Sequence, residues 1–456
     1  MQMNLENKIK QVGNPSLMLQ NAQVGPYVFP IAPQYTNWYE EVKAWREGAV
    51  LLNQSYHMTD LYVRGPDTVK FLSHIGINSF ANFGKNKAKQ LICCNYDGYV
   101  IGDVILLGLE DDEALLIGRP PVCNWAAFQA EISDFDVTTE FDIRSLENTD
   151  KPRKLYRYEV QGPKALDILN EVNEGGELTT KFFNMGEITI AGCKGRTLSH
   201  GMGGAQGLEI WGPYEEGEKV YNRLMEIGEK YGMLRAGARA YSCAAMESGW
   251  IPSPLPAIYS GEKIKPYREW LSANGFEATC SVGGSFQPEN VEEYYLTPWD
   301  LDYHRVLKFD HDFIGRDALE KMIDSVHRTK VTLVWSKEDV LKIFAGMMEE
   351  YPGPKLMELP AGHYAAHPYD QVLVNDQMIG ISTYPVYSAN ERAWISLAVI
   401  SKDHSTQGDI VDILWGEADG GTNKPHVEKH KQMKVSAEVH PWPIHAASRH
   451  NYRKQS

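Results

Sequence analysis

A chain of 456 residues with 43% hydrophobic and 23% charged side chains has the makeup of a two- or three-domain globular protein, neither disordered nor fibrous. Its 60 acidic against 45 basic residues give a formal charge of -15, which repels a phosphate backbone and excludes nucleic acid as a partner, though one Arg in a pocket can still hold a small anion. The longest apolar stretch, around Val100 to Leu109, is broken by Asp103 and is far shorter than the roughly 20 residues of a bilayer span, so no membrane segment is expected.

The first recognisable unit is Tyr62-Val-Arg-Gly-Pro66, an alternating segment and a Gly-Pro turn followed by Val69, Phe71, Leu72 and Ile75 at helical spacing. A hairpin is predicted between Leu91 and Ile117, with Tyr96-Asp-Gly-Tyr99 as its turn. The Gly-Pro unit returns at Glu159-Val-Gln-Gly-Pro163, before Ala165, Leu166, Ile168 and Leu169. It returns again at Glu209-Ile-Trp-Gly-Pro213, before Val220, Leu224, Met225 and Ile227. Gly permits the turn and Pro presets the φ of a helix's first turn, so the repeat predicts an α+β body of pseudo-symmetric sheet-and-helix units. An Ala-rich helix from about Ala236 to Ser248 follows, closed by Gly249.

From about Lys330 the texture changes to short β-rich runs: Lys330 to Trp335, Gln371 to Val374, Met378 to Ser382, Ile395 to Ile400 and Ile410 to Leu414. The expected division is a body over residues 1–325, a β-barrel-like domain over 326–443 and a polar, partly mobile tail over 444–456. His426 and His430 stand four apart, but flanking lysines and the lack of a third ligand make them a solvated face, so no metal site is expected. The N-terminus lacks the apolar core of a secretory signal and the six Cys form no CxxC pair, which points to a reducing, cytoplasmic setting.

Three longer strings carry a resemblance: His200-Gly-Met-Gly-Gly-Ala-Gln-Gly-Leu-Glu-Ile-Trp-Gly-Pro213, Gly237-Ala-Arg239 leading to Glu247-Ser-Gly249, and Asp312-Phe-Ile-Gly-Arg-Asp-Ala-Leu319. They resemble the tetrahydrofolate-binding aminomethyltransferase superfamily, the glycine-cleavage T-proteins, over most of the chain. Arg239-Ala-Tyr241, Glu247-Ser-Gly-Trp-Ile-Pro-Ser-Pro-Leu-Pro-Ala-Ile-Tyr259 and Lys308-Phe-Asp-His-Asp312 are more similar to its tetrahydrofolate-dependent aryl O-demethylases, which act on vanillate, syringate and 3-O-methylgallate. T-proteins carry an acidic pair where this chain reads Gly98-Tyr-Val-Ile-Gly-Asp103, with Gly102 at one acidic position; this weakens an aminomethyltransferase reading. The resemblance implies a T-protein-like folate-binding body of two intertwined subdomains.

It also implies transfer of a methyl group from a methoxylated aromatic acid to tetrahydrofolate, giving 5-methyltetrahydrofolate and a phenolic acid, with no metal and no obligatory protein partner. A neutral aryl ether leaves as a phenol only if its oxygen is protonated, and a tyrosine of pKa near 10 is matched to that phenol. Tyr241 is the candidate acid, although on spacing alone it reads as a core residue with its hydroxyl at the rim. A pterin edge with adjacent N–H donors suits one carboxylate, and its flat face suits an aromatic ring, roles the resemblance gives to Glu209 and Trp250, with Gln161 also at the folate. Phe29, Gln54, His57 and Arg119 are assigned to the aromatic substrate, Arg119 holding either its carboxylate or the folate glutamate. Two alternatives stay open: a glycine-cleavage aminomethyltransferase, and a folate-binding module without catalysis.

Overall fold

Each Gly-Pro phrase turns a strand into a helix, and in two of the three the glycine's positive φ makes the turn possible. In the computed structural model, which describes residues 3–23, 30–145, 152–201, 206–252, 254–349, 351–362, 364–418, 420 and 424–451, Gly65 has φ 143° and Gly162 φ 126°. A side chain at Gly65 would collide with the Asp136 carbonyl, and one at Gly162 with that of Gly48. The helices that follow are Thr68–Ile75, Ala165–Val172 and, after a short 3-10 turn, Gly217–Glu229.

Among the described residues the body contains eleven strands before residue 240: β1 (Val50–Asn53), β2 (Thr59–Arg64), β3 (Ala88–Cys94), β4 (Val100–Glu110), β5 (Glu113–Gly118), β6 (Thr138–Asp142), β7 (Leu155–Gln161), β8 (Met185–Ile190), β9 (Cys193–Ser199), β10 (Gly207–Pro213) and β11 (Leu234–Arg235). They form a six-stranded sheet in the order β11-β1-β7-β10-β9-β8 and a five-stranded sheet in the order β3-β4-β5-β2-β6. The hairpin read around Tyr96 to Tyr99 is the β3–β4 pair.

Strand alternation explains what each face does. Along β7, Tyr156, Tyr158 and Val160 join Leu208 and Ile210 of β10 in an apolar cluster under helices Ala165–Val172 and Gly217–Glu229. The intervening Arg157, Glu159 and Gln161 are buried too, so the opposite face of this sheet is a covered polar surface. In β2, Leu61 and Val63 enter the largest core, which leaves Asp60 on the other side.

After residue 280 come β12 (Val282–Gly283), β13 (Thr329–Trp335), β14 (His367–Pro368), β15 (Asp370–Val374), β16 (Gln377–Ser388), β17 (Ala393–Ile400), β18 (Ile410–Trp415) and β19 (Met433–His440). Six of these close a barrel in the order β13-β17-β16-β15-β18-β19, while β12 and β14 pair in parallel. The five β-rich runs read in the sequence are strands of this barrel. β19 escaped that reading, yet its Val435, Ala437 and Val439 alternate cleanly inward and close the sheet. Ile395, Leu397 and Val399 of β17 point the other way, into the body core, while Ala398 and Ile400 fill the barrel. Each such side chain stabilises the junction by about 1.5–3 kcal/mol.

Two expectations change here. His426 and His430 lie in irregular chain; His426 and the flanking Lys429 and Lys431 are exposed as expected, but His430 is buried and its Nε2 accepts the Glu417 backbone N–H at 2.9 Å, so it leaves the expected solvated face. In the segment expected to be a polar, partly mobile tail, Ala446–Asn451 is helical, and Ser448 and Arg449 reach the central cavity described next.

Candidate active site

A cavity of about 850 Å³ opens where both body sheets, helix Ala238–Glu247, the barrel and the segment after β19 meet. Its wall contains Gln54, His57, Arg119, Glu209, Tyr241 and Trp250, six of the eight residues singled out in the sequence. Such a volume suits a folate-sized molecule together with a single aromatic ring.

Tyr241 stands in the first turns of helix Ala238–Glu247, which is tied at both ends. At the start, Glu41 accepts the Gly237 backbone N–H at 2.8 Å. At the end, Glu247 meets Arg46 at 3.0 Å and accepts from Ser388 and Asn390 of the barrel at 2.5 and 2.9 Å. Gly249 stops the helix with φ 73°, and a Cβ there would lie 2.7 Å from the ring of Trp442. The Tyr241 ring packs edge-on against the His57 imidazole, with centroids 5.5 Å apart. His57 is held neutral: burial first, and then the Arg157 charge, push its pKa well below the usual value.

Glu209 extends from β10 on the covered polar face. Its Oε1 lies 2.9 Å from Arg157 Nε, a charge contact rather than an in-line hydrogen bond. Burial raises its pKa, and Arg157 opposes that rise. Gln54 donates its side-chain amide to Glu159, the residue directly across the ladder from Glu209.

At another part of the wall, Asp103 accepts from Gln90 at 2.7 Å and from Tyr303 at 2.9 Å, and the Trp250 side chain supplies a further hydrogen bond. Burial lifts the Asp103 carboxyl above the ordinary range despite these donors. Lys330, at the start of the barrel, places its Nζ 3.4 Å from the centre of the Trp442 ring and donates to the Leu301 carbonyl at 3.1 Å; burial pushes it down to about 7.

Arg119 occupies the N-cap of helix Pro120–Ile132, where the following prolines end β5 abruptly and turn the guanidinium toward the cavity. Beside it is Tyr384, set at φ 51° in a bulge of β16, whose hydroxyl donates to the Ala366 carbonyl at 2.9 Å.

The model of the GCVT N-terminal domain matches residues 20–253. The chain is 44% identical over 449 residues to syringate O-demethylase of Sphingobium sp. (strain NBRC 103272 / SYK-6), covering 98% of this chain and 97% of that protein. The chain belongs to the GCVT family. Sesamin methylene transferase of Sinomonas sp. (strain No.22) is a more distant relative, at 27% identity over 84% of this chain and 85% of that one. The glycine cleavage system aminomethyltransferase T from Bartonella henselae superimposes with a TM-score of 0.61 at 16% identity, covering 96% of this chain and 97% of that chain, so the two share a fold.

Of the other two residues singled out in the sequence, only Gln161 has a described position. Phe29 lies outside the described residues. Gln161, expected at the folate, is fully buried on β7 away from the cavity wall and accepts the Trp45 indole N–H at 2.8 Å. The polar face of β7 is covered at that end by helix Trp38–Glu47, which claims the amide for packing.

Sequence reasoning also missed wall residues. Asp103 entered it only as a marker between branches, while Tyr303 comes from a short turn ahead of the barrel and Lys330, Tyr384 and Trp442 from the barrel and the segment after it. Trp442, between two prolines just past β19, carried a usable signal: a large aromatic in a segment otherwise polar.

Proposed function

We propose that this GCVT-family protein is a tetrahydrofolate-dependent O-demethylase, moving the methyl group of a methoxylated aromatic acid of the syringate or vanillate type to tetrahydrofolate. The products are 5-methyltetrahydrofolate and a phenolic acid. The observation that carries the reading is Tyr241 on the wall of a large cavity, its ring against a neutral His57, in a chain 44% identical to a syringate O-demethylase.

The wall chemistry fits a reduced pterin. Glu209 and Asp103 are acceptors for an edge of N–H donors, and Trp250 is an aromatic surface for its face. When bound, tetrahydrofolate supplies N5 as the methyl acceptor.

Tyr241 donates its phenolic proton to the ether oxygen as the carbon–oxygen bond breaks, and the tyrosinate left behind regains a proton from the one released at the methylated nitrogen. The group Tyr241 protonates leaves as a phenol, the same functional group as the donor, so donor and acceptor are chemically matched. Neutral His57 and the Gln54 amide, itself fixed by Glu159, orient the aryl group and the tyrosine hydroxyl. Arg119 pairs with the substrate carboxylate or the folate glutamate. Packed barrel and body walls keep water from the developing phenolate.

Gly102 disfavours the aminomethyltransferase alternative: a Cβ there would lie 3.0 Å from Val122 Cγ2, so the acidic residue of T-proteins has little room. A folate-binding module without catalysis gives Tyr241 and His57 no reason to face the cavity. Among the described residues no helix is long and apolar enough to cross a membrane. The protein acts on two small molecules, in the cytoplasm and without an obligatory protein partner.

Incubation with tetrahydrofolate and a panel of methoxybenzoates, with mass detection of the methylated folate, tests the reading. Methyl transfer from syringate or vanillate is expected. Methylenetetrahydrofolate formed only from an aminomethyl donor would replace it with the aminomethyltransferase, and folate binding without turnover would replace it with the module.

A further inference from the structure

Glu209 is the last of five alternating charges that cross from one body sheet to the other. Asp142 of β6 takes Arg153 Nε at 3.1 Å, and Arg153 Nη2 lies 3.3 Å from Asp60 of β2. Both carboxylate oxygens of Asp60 accept the Arg157 Nη atoms at 3.2 Å, and the Nε of the same guanidinium lies 2.9 Å from Glu209 Oε1. All five side chains are buried. Glu159 stands directly across the ladder from Glu209, so two carboxylates share this face.

A carboxylate buried beside another takes up a proton unless a cation faces it. The planar fork of Arg157 meets that need while Asp60 fixes its rotation; a lysine has no such geometry. We propose that Arg157, gripped by Asp60, is a positioning residue of the folate site: it keeps Glu209 ionised and aimed, so that the carboxylate accepts the N–H donors of the pterin edge. This rests on the reading of Glu209 as a pterin ligand.

The charged groups acting on Glu209 are Arg157 on β7 and Asp60 on β2, with Glu159 directly across the ladder, while His57, Arg119, Arg144, His200 and Tyr241 line the same cavity. His57 and His200 are held neutral by burial, and among the described residues Arg157 is the cation that meets the Glu209 carboxylate. Removing it raises the pH at which Glu209 ionises. A protonated carboxyl offers a donor where the pterin also offers donors, so affinity falls at neutral pH and returns as pH rises.

The test is equilibrium binding of reduced tetrahydrofolate to the full-length protein from pH 6 to pH 9, read by quenching of tryptophan fluorescence. Wild type is expected to bind with a nearly flat profile. Arg157→Met should bind about tenfold to a hundredfold more weakly at pH 7 and recover at least tenfold by pH 9. Glu209→Gln should be weak at every pH, and Arg157→Met in that background should weaken it no further. Should Arg157→Met fail to fold, Arg157→Lys keeps a charge without the fork. It should bind about tenfold more weakly than wild type, with that loss absent in the Glu209→Gln background. A pH-independent or additive effect of the Arg157 variants, alongside a weak Glu209→Gln, would overturn the positioning role alone. Wild-type affinity in Glu209→Gln would remove the pterin reading of Glu209, and the proposal with it.

Discussion

Replacing Tyr241 by Phe takes away one hydroxyl and leaves everything that holds the residue in place. The ring still packs edge-on to His57 at 5.5 Å, and the helix remains tied by Glu41 at Gly237 and by Arg46, Ser388 and Asn390 at Glu247. Stability should therefore change by no more than the ~1 kcal/mol of a single hydrogen bond. The effect on chemistry should be much larger. A positioned general acid contributes about 10²–10⁴ in rate, or about 2.7–5.4 kcal/mol of barrier, and that contribution exists only in the transition state. kcat should fall by that factor while KM for both substrates stays within about threefold. The assay is mass detection of labelled methyl on folate, run across methoxybenzoates whose phenols differ in acidity. The better the leaving phenolate, the less it needs a proton, so the defect of Tyr241→Phe should shrink as the phenol becomes more acidic. A variant retaining kcat within threefold, or a defect independent of the leaving group, would refute proton donation by Tyr241.

Arg119→Met should raise KM by roughly ten- to a hundredfold for the anion it holds, the ~1.5–3 kcal/mol of a charge-assisted contact. A loss on the aromatic acid but not on its methyl ester assigns it to the substrate carboxylate, a loss in KM for tetrahydrofolate to the folate glutamate, and no loss in either would refute an anion-holding role. Gly249→Ala combines a positive φ with a Cβ 2.7 Å from Trp442, so a loss of about 2 kcal/mol or more in thermal unfolding and a change in near-ultraviolet dichroism are expected; an unchanged Tm would contradict the packing. The buried His57 stays neutral in the folded chain and titrates at its ordinary value once unfolded. As pH falls below about 6.5 the unfolded state gains a proton that the folded state refuses, which costs up to about 1.4 kcal/mol per pH unit. His57→Gln should flatten this part of the stability profile between pH 6.5 and 5, as denaturant titration of both proteins would show, whereas parallel profiles would mean that His57 charges freely.

The Gly-Pro phrases were legible because a turn that demands a glycine, followed by apolar residues at helical spacing, is written entirely in neighbouring residues. Five barrel strands were legible for a similar reason. β19 was overlooked because Met433 to His440 mixes charged and apolar residues; its alternation means something only once β13 and β18 lie on either side. Gln161 is a different case: the resemblance placed it at the folate while its spacing reads only as a turn-flanking polar residue, and neither could foresee that its amide oxygen accepts the Trp45 indole N–H, 116 positions away.

The residue types and strings of the sequence determined by themselves that a strand–turn–helix body precedes a β-rich domain, and through a family resemblance they named candidate side chains for an aryl ether and a pterin. Such properties reside in a residue and its near neighbours. Only the tertiary structure decided the ionisation and surroundings of those side chains. Asp60 and Arg157 are 97 positions apart, Asp103 and Tyr303 are 200, and the barrel brings Lys330 and Trp442 to the same wall. Burial and charge depend on what is near in space, and chain folding sets that proximity over distances at which local sequence carries no signal.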